Sequence, residues 1–157
     1  MGERTDVVVG VDGSASSRQA LAYALADAAR RGVGVRVVSV FPPPDYRAVA
    51  YGMTAPPSTE DIAADIETSV RATVAEVVTE QGDPVGRVPV EVLAVPGTAA
   101  EVLVAESKDA QLLVVGHRGR GGFASVLLGS VGLHCVLHAS CSVTVVRPSA
   151  GVAPKER

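Results

Sequence analysis

Hydrophobic residues along the chain fall into two alternating patterns. Nearly continuous apolar runs, typical of strands buried on both faces of a sheet, occur at 6–11, 35–41, 88–95, 111–116 and 142–147. Between the runs, apolar residues recur at helical spacing. Strands that alternate with helices predict a parallel sheet with helices on both faces and right-handed crossovers.

The first two helices are marked by spacing and by capping residues. Apolar residues at i, i+3, i+4 and i+7 run from Leu21 to Ala28, and Gly32 is a stop signal. Ser58 or Thr59 is predicted to cap the second helix, which ends near Gly82.

Two shorter helices follow in the second half of the chain. Thr98 and Glu101 have the spacing of a capping box, which predicts a third helix to about Lys108. A fourth helix is expected from about Gly129 to Ala139. The chain is therefore expected to form one five-stranded half-Rossmann domain over residues 1–147.

Two segments fall outside this pattern. Residues 42–57 contain five of the ten prolines and are expected to form a long loop that covers something. The C-terminal stretch 148–157 is polar and is expected to be a loose tail.

Composition excludes several classes of partner. The net charge is −3 and basic residues are scattered, so nucleic acid and anionic membranes are not expected partners. No apolar stretch reaches the roughly 20 residues that span a bilayer, and the N-terminus lacks the plan of a signal peptide. Cys135 and Cys141 do not suggest a disulfide framework. A cytoplasmic location is predicted.

The expected strand order 3-2-1-4-5 locates the ligand site. In such sheets, ligands bind beyond the carboxyl ends of the strands where the strand order reverses, here between strands 1 and 4. The residues just past those two strands are 11–14, "VDGS", and the glycine-rich stretch 116–130, "GHRGRGGFASVLLGS". Both are expected to line one cleft.

The glycine-rich stretch has the chemistry of an anion site. Gly116 and Gly119 leave the backbone without Cβ atoms along the approach. Gly129, Ser130 and Val131 stand at a predicted helix N-terminus, where backbone N–H groups and the helix dipole favour an anion. The hydroxyl of Ser130 adds a donor. Together they predict phosphate binding by backbone amides.

Two common phosphate motifs fit poorly. The P-loop is absent because no Gly-Lys pair occurs in the chain. Residues 119–124 match G-x-G-x-x-A, but they follow the fourth strand, and no acidic residue lies about twenty positions further on.

A third pattern fits: Gly116, two residues, Gly119, nine residues, then Gly129 and Ser130. This spacing resembles the ATP-binding signature of the universal stress protein family. The resemblance covers nearly the whole chain, including "VVVGVDGS", "PGTAAEVLVAESKDAQLLVVGHRGRGG" and "LLGSVGLHCVLHASCSVTVVRP". Ser142 stands where the family usually has a proline, a departure that concerns a turn and not the nucleotide loop.

The resemblance implies a role for eight residues. Asp12 would face the ribose or a metal-bound water, and Val40 would offer its backbone to the adenine edge. Val115 and Gly116 would line the ribose side. The phosphates would be held by Gly119, Gly129, Ser130 and Val131. Mg²⁺ would bind through phosphate oxygens and waters, without a metal site of the protein's own.

Other readings of the same residues stay open. Taken alone, Asp12 is typical of an Asx-turn after a strand. Gly121 and Gly122 favour plain loop flexibility. Arg118 and Arg120 fit either phosphate pairing or solvated loop charge.

The histidines give no clear site. His134 and His138 have the spacing of a metal pair but lack a third ligand, so ordinary packed or surface residues are expected. His117 lies near the loop, although nothing in the spacing demands contact with a ligand. No group with the context of a general base or nucleophile is found, so no catalytic residue is predicted.

The function that the resemblance implies is ATP binding by a stress-response regulator without efficient catalysis. It also implies a homodimer through the last strand, which is β-branched and expected at an edge. Three alternatives remain open: an enzyme (a slow ATPase or a dinucleotide-dependent oxidoreductase), a protein that prefers AMP or cyclic AMP, and a nucleotide-free interaction protein.

Overall fold

A computed structural model describes residues 6–119 and 128–148. It contains one parallel sheet with strand order β3-β2-β1-β4-β5, as the sequence predicts. The elements in chain order are β1 (Asp6–Gly10), α1 (Ala15–Arg31), β2 (Val35–Phe41), α2 (Thr59–Gln81), β3 (Val90–Pro96), α3 (Ala99–Glu106), β4 (Ala110–Gly116), α4 (Ser130–His138) and β5 (Ser142–Val146).

The sheet separates two hydrophobic cores. Alternate residues of a strand face opposite sides, so Val7 and Val9 of β1 join one core while Val8 joins the other. The first core packs against α1 and α2 and includes Leu21 and Leu25. The second packs against α3 and α4 and includes residues of all three central strands. Helices therefore cover both faces, as predicted.

The helix ends of the first half follow their capping residues. Gly32 adopts the left-handed conformation with φ of 69°, which ends α1 where the sequence predicts. Ser58 rather than Thr59 caps α2, since its side chain accepts a hydrogen bond from the N–H of Asp61 at 3.1 Å.

Three local predictions are wrong. The segment expected to be a plain loop contains a 3-10 helix, Tyr46–Tyr51, capped by the Asp45 side chain. Thr98 precedes α3, but its side chain makes no capping hydrogen bond, so the capping box does not form. β3 begins two residues late because Val88 still bonds to Val85 of a 3-10 turn.

Some predictions concern residues outside the described part of the chain. These are the tail residues 149–157, and Arg120, Gly121 and Gly122 of the glycine-rich stretch. Within residues 6–119 and 128–148, no helix is both long and apolar enough to cross a membrane.

Candidate functional site

A cleft of about 220 Å³ lies beyond the carboxyl ends of β1 and β4, at the N-terminus of α4. It is lined by every residue that the sequence analysis assigned to a ligand: Asp12, Val40, Val115, Gly116, Gly119, Gly129, Ser130 and Val131. The switch point of the strand order therefore brings together residues that are up to 119 positions apart in the chain, since the set runs from 12 to 131.

Asp12 stands in the turn between β1 and α1. Its Oδ1 accepts a hydrogen bond from the N–H of Ser14 at 2.9 Å, and its own N–H donates to Ser17 Oγ at 3.2 Å. This is the Asx-turn that the residue type indicates. The residue is exposed and lines the cleft as well, so the turn geometry fixes the carboxylate at the cleft wall.

Val40 presents its backbone at the edge of the cleft. The pairing of β1 with β2 ends at Gly10 and Val38, and Val38 C=O accepts a hydrogen bond from Val11 N–H at 2.9 Å. Two residues on, Val40 has the same orientation as Val38, so its N–H and C=O face the space that β1 has left. A flat ring with a donor and an acceptor on one edge would match them.

A Cβ atom would have different effects at the two motif glycines Gly116 and Gly129. At Gly116, a Cβ would lie 3.0 Å from the backbone carbon and oxygen of Ser16, so α1 itself requires glycine there. At Gly129, a Cβ would make ordinary contacts of 3.5–3.7 Å with His117 O, Arg118 Cα and Gly119 N. Glycine at 129 thus keeps open a space that the rest of the fold does not need.

Fewer backbone N–H groups at the N-terminus of α4 are available to a ligand than the sequence predicts. Gly129 N–H donates to His117 C=O at 2.7 Å, so in this conformation it is not available to an anion. The N–H groups of Ser130 and Val131 belong to the first turn of the helix, where no intrahelical acceptor is available. These two amides are therefore the donors that the helix end can offer to a ligand in the cleft.

Sequence reasoning missed the contact between His117 and Ser16. The imidazole Nδ1 lies 3.1 Å from Ser16 Oγ, and the histidine is buried. Arg118 N–H donates to the same hydroxyl at 3.4 Å. A contact between residues about a hundred positions apart has no local pattern. Only the predicted adjacency of strands 1 and 4 could have indicated it.

The helical histidine pair forms no metal site with its neighbours. The rings of His134 and His138 lie 4.5 Å apart between centroids. Across the residues that the structure describes, no group of three or more His, Cys, Asp or Glu side chains could hold a metal ion.

A larger cavity of about 530 Å³ lies between α1 and α2, on the other side of the β1–α1 turn. It shares Val11, Asp12, Ser17 and Val40 with the cleft. Its other lining residues include Leu21, Ile66 and Val70, several hydroxyl groups, and Arg18, whose guanidinium pairs with Glu76 and Glu80; the glycine-rich stretch does not border it. The larger cavity borders the N-terminus of α1, where Ser14 Oγ already accepts the N–H of Ser17 at 3.1 Å. The smaller cleft has the motif glycines and the N-terminus of α4, where no side chain among the described residues caps the helix, so it is the better candidate for an anionic ligand.

The comparison with known families agrees with the fold. The family model described as "Universal stress protein family" matches residues 3–147. The chain belongs to the universal stress protein family. A universal stress protein of Mycolicibacterium smegmatis is 35% identical over 92% of this chain, which covers 46% of that relative. This member of the family thus spans about half the length of such curated relatives.

Solved universal stress proteins share the architecture. UspA from Lactobacillus plantarum has a TM-score of 0.62 and 20% identity, covering 94% of this chain and all of its own. A universal stress protein crystallised in complex with cAMP has a TM-score of 0.60 and 26% identity, covering 93% of this chain and 98% of its own.

Proposed function

We propose that the chain binds an adenine nucleotide in the cleft, with ATP as the physiological ligand, and acts as a nucleotide-dependent regulator of a stress response. The observation that carries the proposal is the convergence of the open Val40 backbone, the Asp12 carboxylate and the α4 N-terminus on one cleft. The cAMP complex of a universal stress protein with 26% identity supports an adenine ligand.

The lining residues suit the parts of such a ligand. Val40 offers a donor and an acceptor to the adenine edge, and the Asp12 carboxylate can accept hydrogen bonds from ribose hydroxyls. The backbone N–H groups of Gly119, Ser130 and Val131 suit phosphate oxygens. Gly129 contributes space rather than a donor. Mg²⁺ would bind through the phosphates and waters, which is how this ion usually binds.

The cleft is better suited to binding a nucleotide than to hydrolysing it. Asp12 is the carboxylate that lines it, and that group already accepts the Ser14 N–H. Hydrolysis needs a base placed to activate water, and the described residues supply no second carboxylate at the cleft. We therefore propose that bound nucleotide changes the surface offered to a partner and that any ATP hydrolysis is slow.

AMP or cyclic AMP is the second candidate ligand. The relative with bound cAMP favours it, and the proposed adenine and ribose contacts are common to all three nucleotides. The phosphate end of the cleft must decide between the candidates, because only ATP carries β- and γ-phosphates.

We also propose a homodimer through β5. This strand is an edge of the sheet, and the neighbouring helix α4 exposes three apolar side chains. They are Leu133 (49% exposed), Val136 (50%) and Leu137 (66%). Pairing of two β5 strands about a two-fold axis would satisfy the open edge and cover part of this surface.

The proposed unit is a single domain over residues 1–147 that works in the cytoplasm. Neither cysteine forms a disulfide, and Cys135 is buried in the second core, which suits a reducing compartment.

The direct test is to purify the chain, denature it and identify any released nucleotide by chromatography and mass. The chain has no Trp and three Tyr, so bound adenine would dominate its ultraviolet absorbance. About one adenine nucleotide per chain is expected. No released nucleotide, together with no thermal shift on adding ATP, AMP or cyclic AMP with Mg²⁺, would reject the proposal and favour a nucleotide-free interaction protein.

A further inference from the structure

Arg118 carries a buried donor that finds no acceptor within residues 6–119 and 128–148. The residue lines the cleft beside Gly119, and among these described residues its Nε has no hydrogen-bond partner. A buried unpaired donor on a cation is disfavoured, and a native structure that keeps one needs an explanation. By contrast, seven other arginines lie within 4.0 Å of a carboxylate: Arg18, Arg30, Arg31, Arg36, Arg47, Arg71 and Arg87.

The backbone of Arg118 is held in place from α1. Its N–H donates to Ser16 Oγ at 3.4 Å, and the same hydroxyl lies 3.1 Å from His117 Nδ1. His117 is fixed on both sides by backbone bonds, since its N–H donates to Val146 at 3.0 Å and its C=O accepts from Gly129 at 2.7 Å. These bonds fix the position of the Arg118 Cα atom, from which the side chain extends.

The charge of the cleft gives this cation a role. The backbone amides of the cleft provide only partial positive charges to a bound anion. A triphosphate carries several negative charges, whereas adenosine carries none. The chain lacks the Gly-Lys pair through which a P-loop supplies a cation. A guanidinium binds phosphate through two parallel hydrogen bonds, so one arginine can fill that role.

We propose that Arg118 binds the outer phosphates of the nucleotide and makes the cleft select ATP over AMP and cyclic AMP, with Ser16 and His117 as positioning residues. This inference rests on the proposed function, because it names the preference of the same site. The positively charged group of the cleft is then the side chain of one of the two residues that separate Gly116 from Gly119 in the motif.

The test compares affinities for ATP, AMP and adenosine by calorimetry in the full chain. Arg118→Gln should weaken ATP binding at least tenfold and AMP binding by about threefold or less, and leave adenosine binding unchanged. Arg118→Lys should restore part of the loss, since it returns the charge without the planar fork. Arg87→Gln is the matched control, because Arg87 is 82% exposed on a 3-10 turn outside the cleft.

The outcomes separate this inference from the proposed function. Wild-type chain that binds no adenine nucleotide would overturn both. If the wild type binds ATP while Arg118→Gln binds ATP equally well, or loses all three ligands in the same proportion, only the role of Arg118 fails.

Ser16→Ala tests the positioning role. It should lower the ratio of ATP to adenosine affinity about threefold, because the Arg118 backbone loses its hydroxyl acceptor while the nucleoside contacts stay. A general loosening of the fold would lower both affinities and leave the ratio unchanged, which would exclude positioning. Thr68→Ala is the control, since Thr68 Oγ1 bonds only within the exposed face of α2.

Discussion

Gly129 N–H donates to the C=O of His117 over 2.7 Å, which ties the start of α4 directly to the residue that follows β4. The two ends of the glycine-rich stretch therefore meet, although eleven residues separate them in the chain. This contact brings the amides of Ser130 and Val131 to the same cleft as Gly116 and Gly119.

The two glycines that border this contact should respond differently to alanine. Gly116→Ala is expected to destabilise the fold by about 1–3 kcal/mol, because its Cβ would overlap the Ser16 backbone. Gly129→Ala should leave stability unchanged or raise it by up to about 1 kcal/mol, since φ of −68° suits any residue.

Denaturant unfolding measures both free energies, and calorimetry with ATP measures binding. Gly129→Ala should weaken ATP binding despite its stability, because its Cβ would stand 3.7 Å from Gly119 N. Equal losses of stability in the two variants would contradict the assignment of Gly129 to ligand space.

Ser130→Glu should change stability and binding in opposite directions. A carboxylate in the first turn of α4 interacts favourably with the helix dipole, by about 0.3–1 kcal/mol. The same charge would repel phosphates, so ATP affinity should fall at least tenfold. Thermal unfolding and calorimetry give the two readouts, with Ser130→Gln as the uncharged control. Wild-type ATP affinity in the Glu variant would exclude the α4 N-terminus as the phosphate site.

The cysteines should differ in reactivity. Burial, with a smaller contribution from Cys141, raises the pKa of the Cys135 thiol to about 11. Cys135 should therefore resist a thiolate-specific reagent at pH 8, while the part-exposed Cys141 reacts. Labelling of Cys141→Ser tests this: a thiol that still reacts rapidly in the folded variant would contradict the burial of Cys135.

The same raised pKa predicts how stability depends on pH. The unfolded thiol releases its proton from about pH 9, whereas the folded thiol keeps it to about pH 11. The contribution of Cys135 to stability is thus constant below pH 9 and declines between pH 9 and 11. Comparing Cys135→Ala with wild type in denaturant across this range isolates the effect. A constant difference between the two would contradict it.

Val145→Pro should separate dimerisation from folding. Val146 C=O accepts a hydrogen bond from His117 N–H, so the backbone N–H and C=O of Val146 face β4. Successive residues of a strand alternate, so the N–H of Val145 faces the open edge of β5. Proline is tolerated where the missing N–H faces outward. The variant should be a folded monomer by light scattering. Val145→Thr keeps the N–H and should remain a dimer; a dimeric proline variant would exclude β5 pairing.

The sequence predicts the layout of the fold because its signals are local and agree with one another. Continuous valine runs, Gly32 and Ser58 each determine an element or an end without help from distant residues. The same layout brings Asp12 and Ser130 to one cleft, because a parallel sheet places the carboxyl ends of its strands at one edge.

Three local features differ from what the sequence pattern indicates, and at two of them a contact outside the pattern determines the structure. Thr98 matches a capping box, yet its side chain makes no capping bond. Gly129 N–H is satisfied by His117, a partner that no spacing rule contains. The 3-10 helix at Tyr46–Tyr51 is set by the Asp45 side chain, which sequence analysis treated as part of a proline-rich loop.

The division of the interior by the sheet has a consequence for spectroscopy. Val40, Val115 and Val131 line the cleft and also pack in the core beneath α3 and α4, whereas Val7 and Val9 face the opposite core. The methyl groups of Val8 would thus report on ligand binding in the cleft, and those of the adjacent Val9 would serve as an internal reference. A ligand in the cleft should move the resonance of Val8 and leave that of Val9 in place.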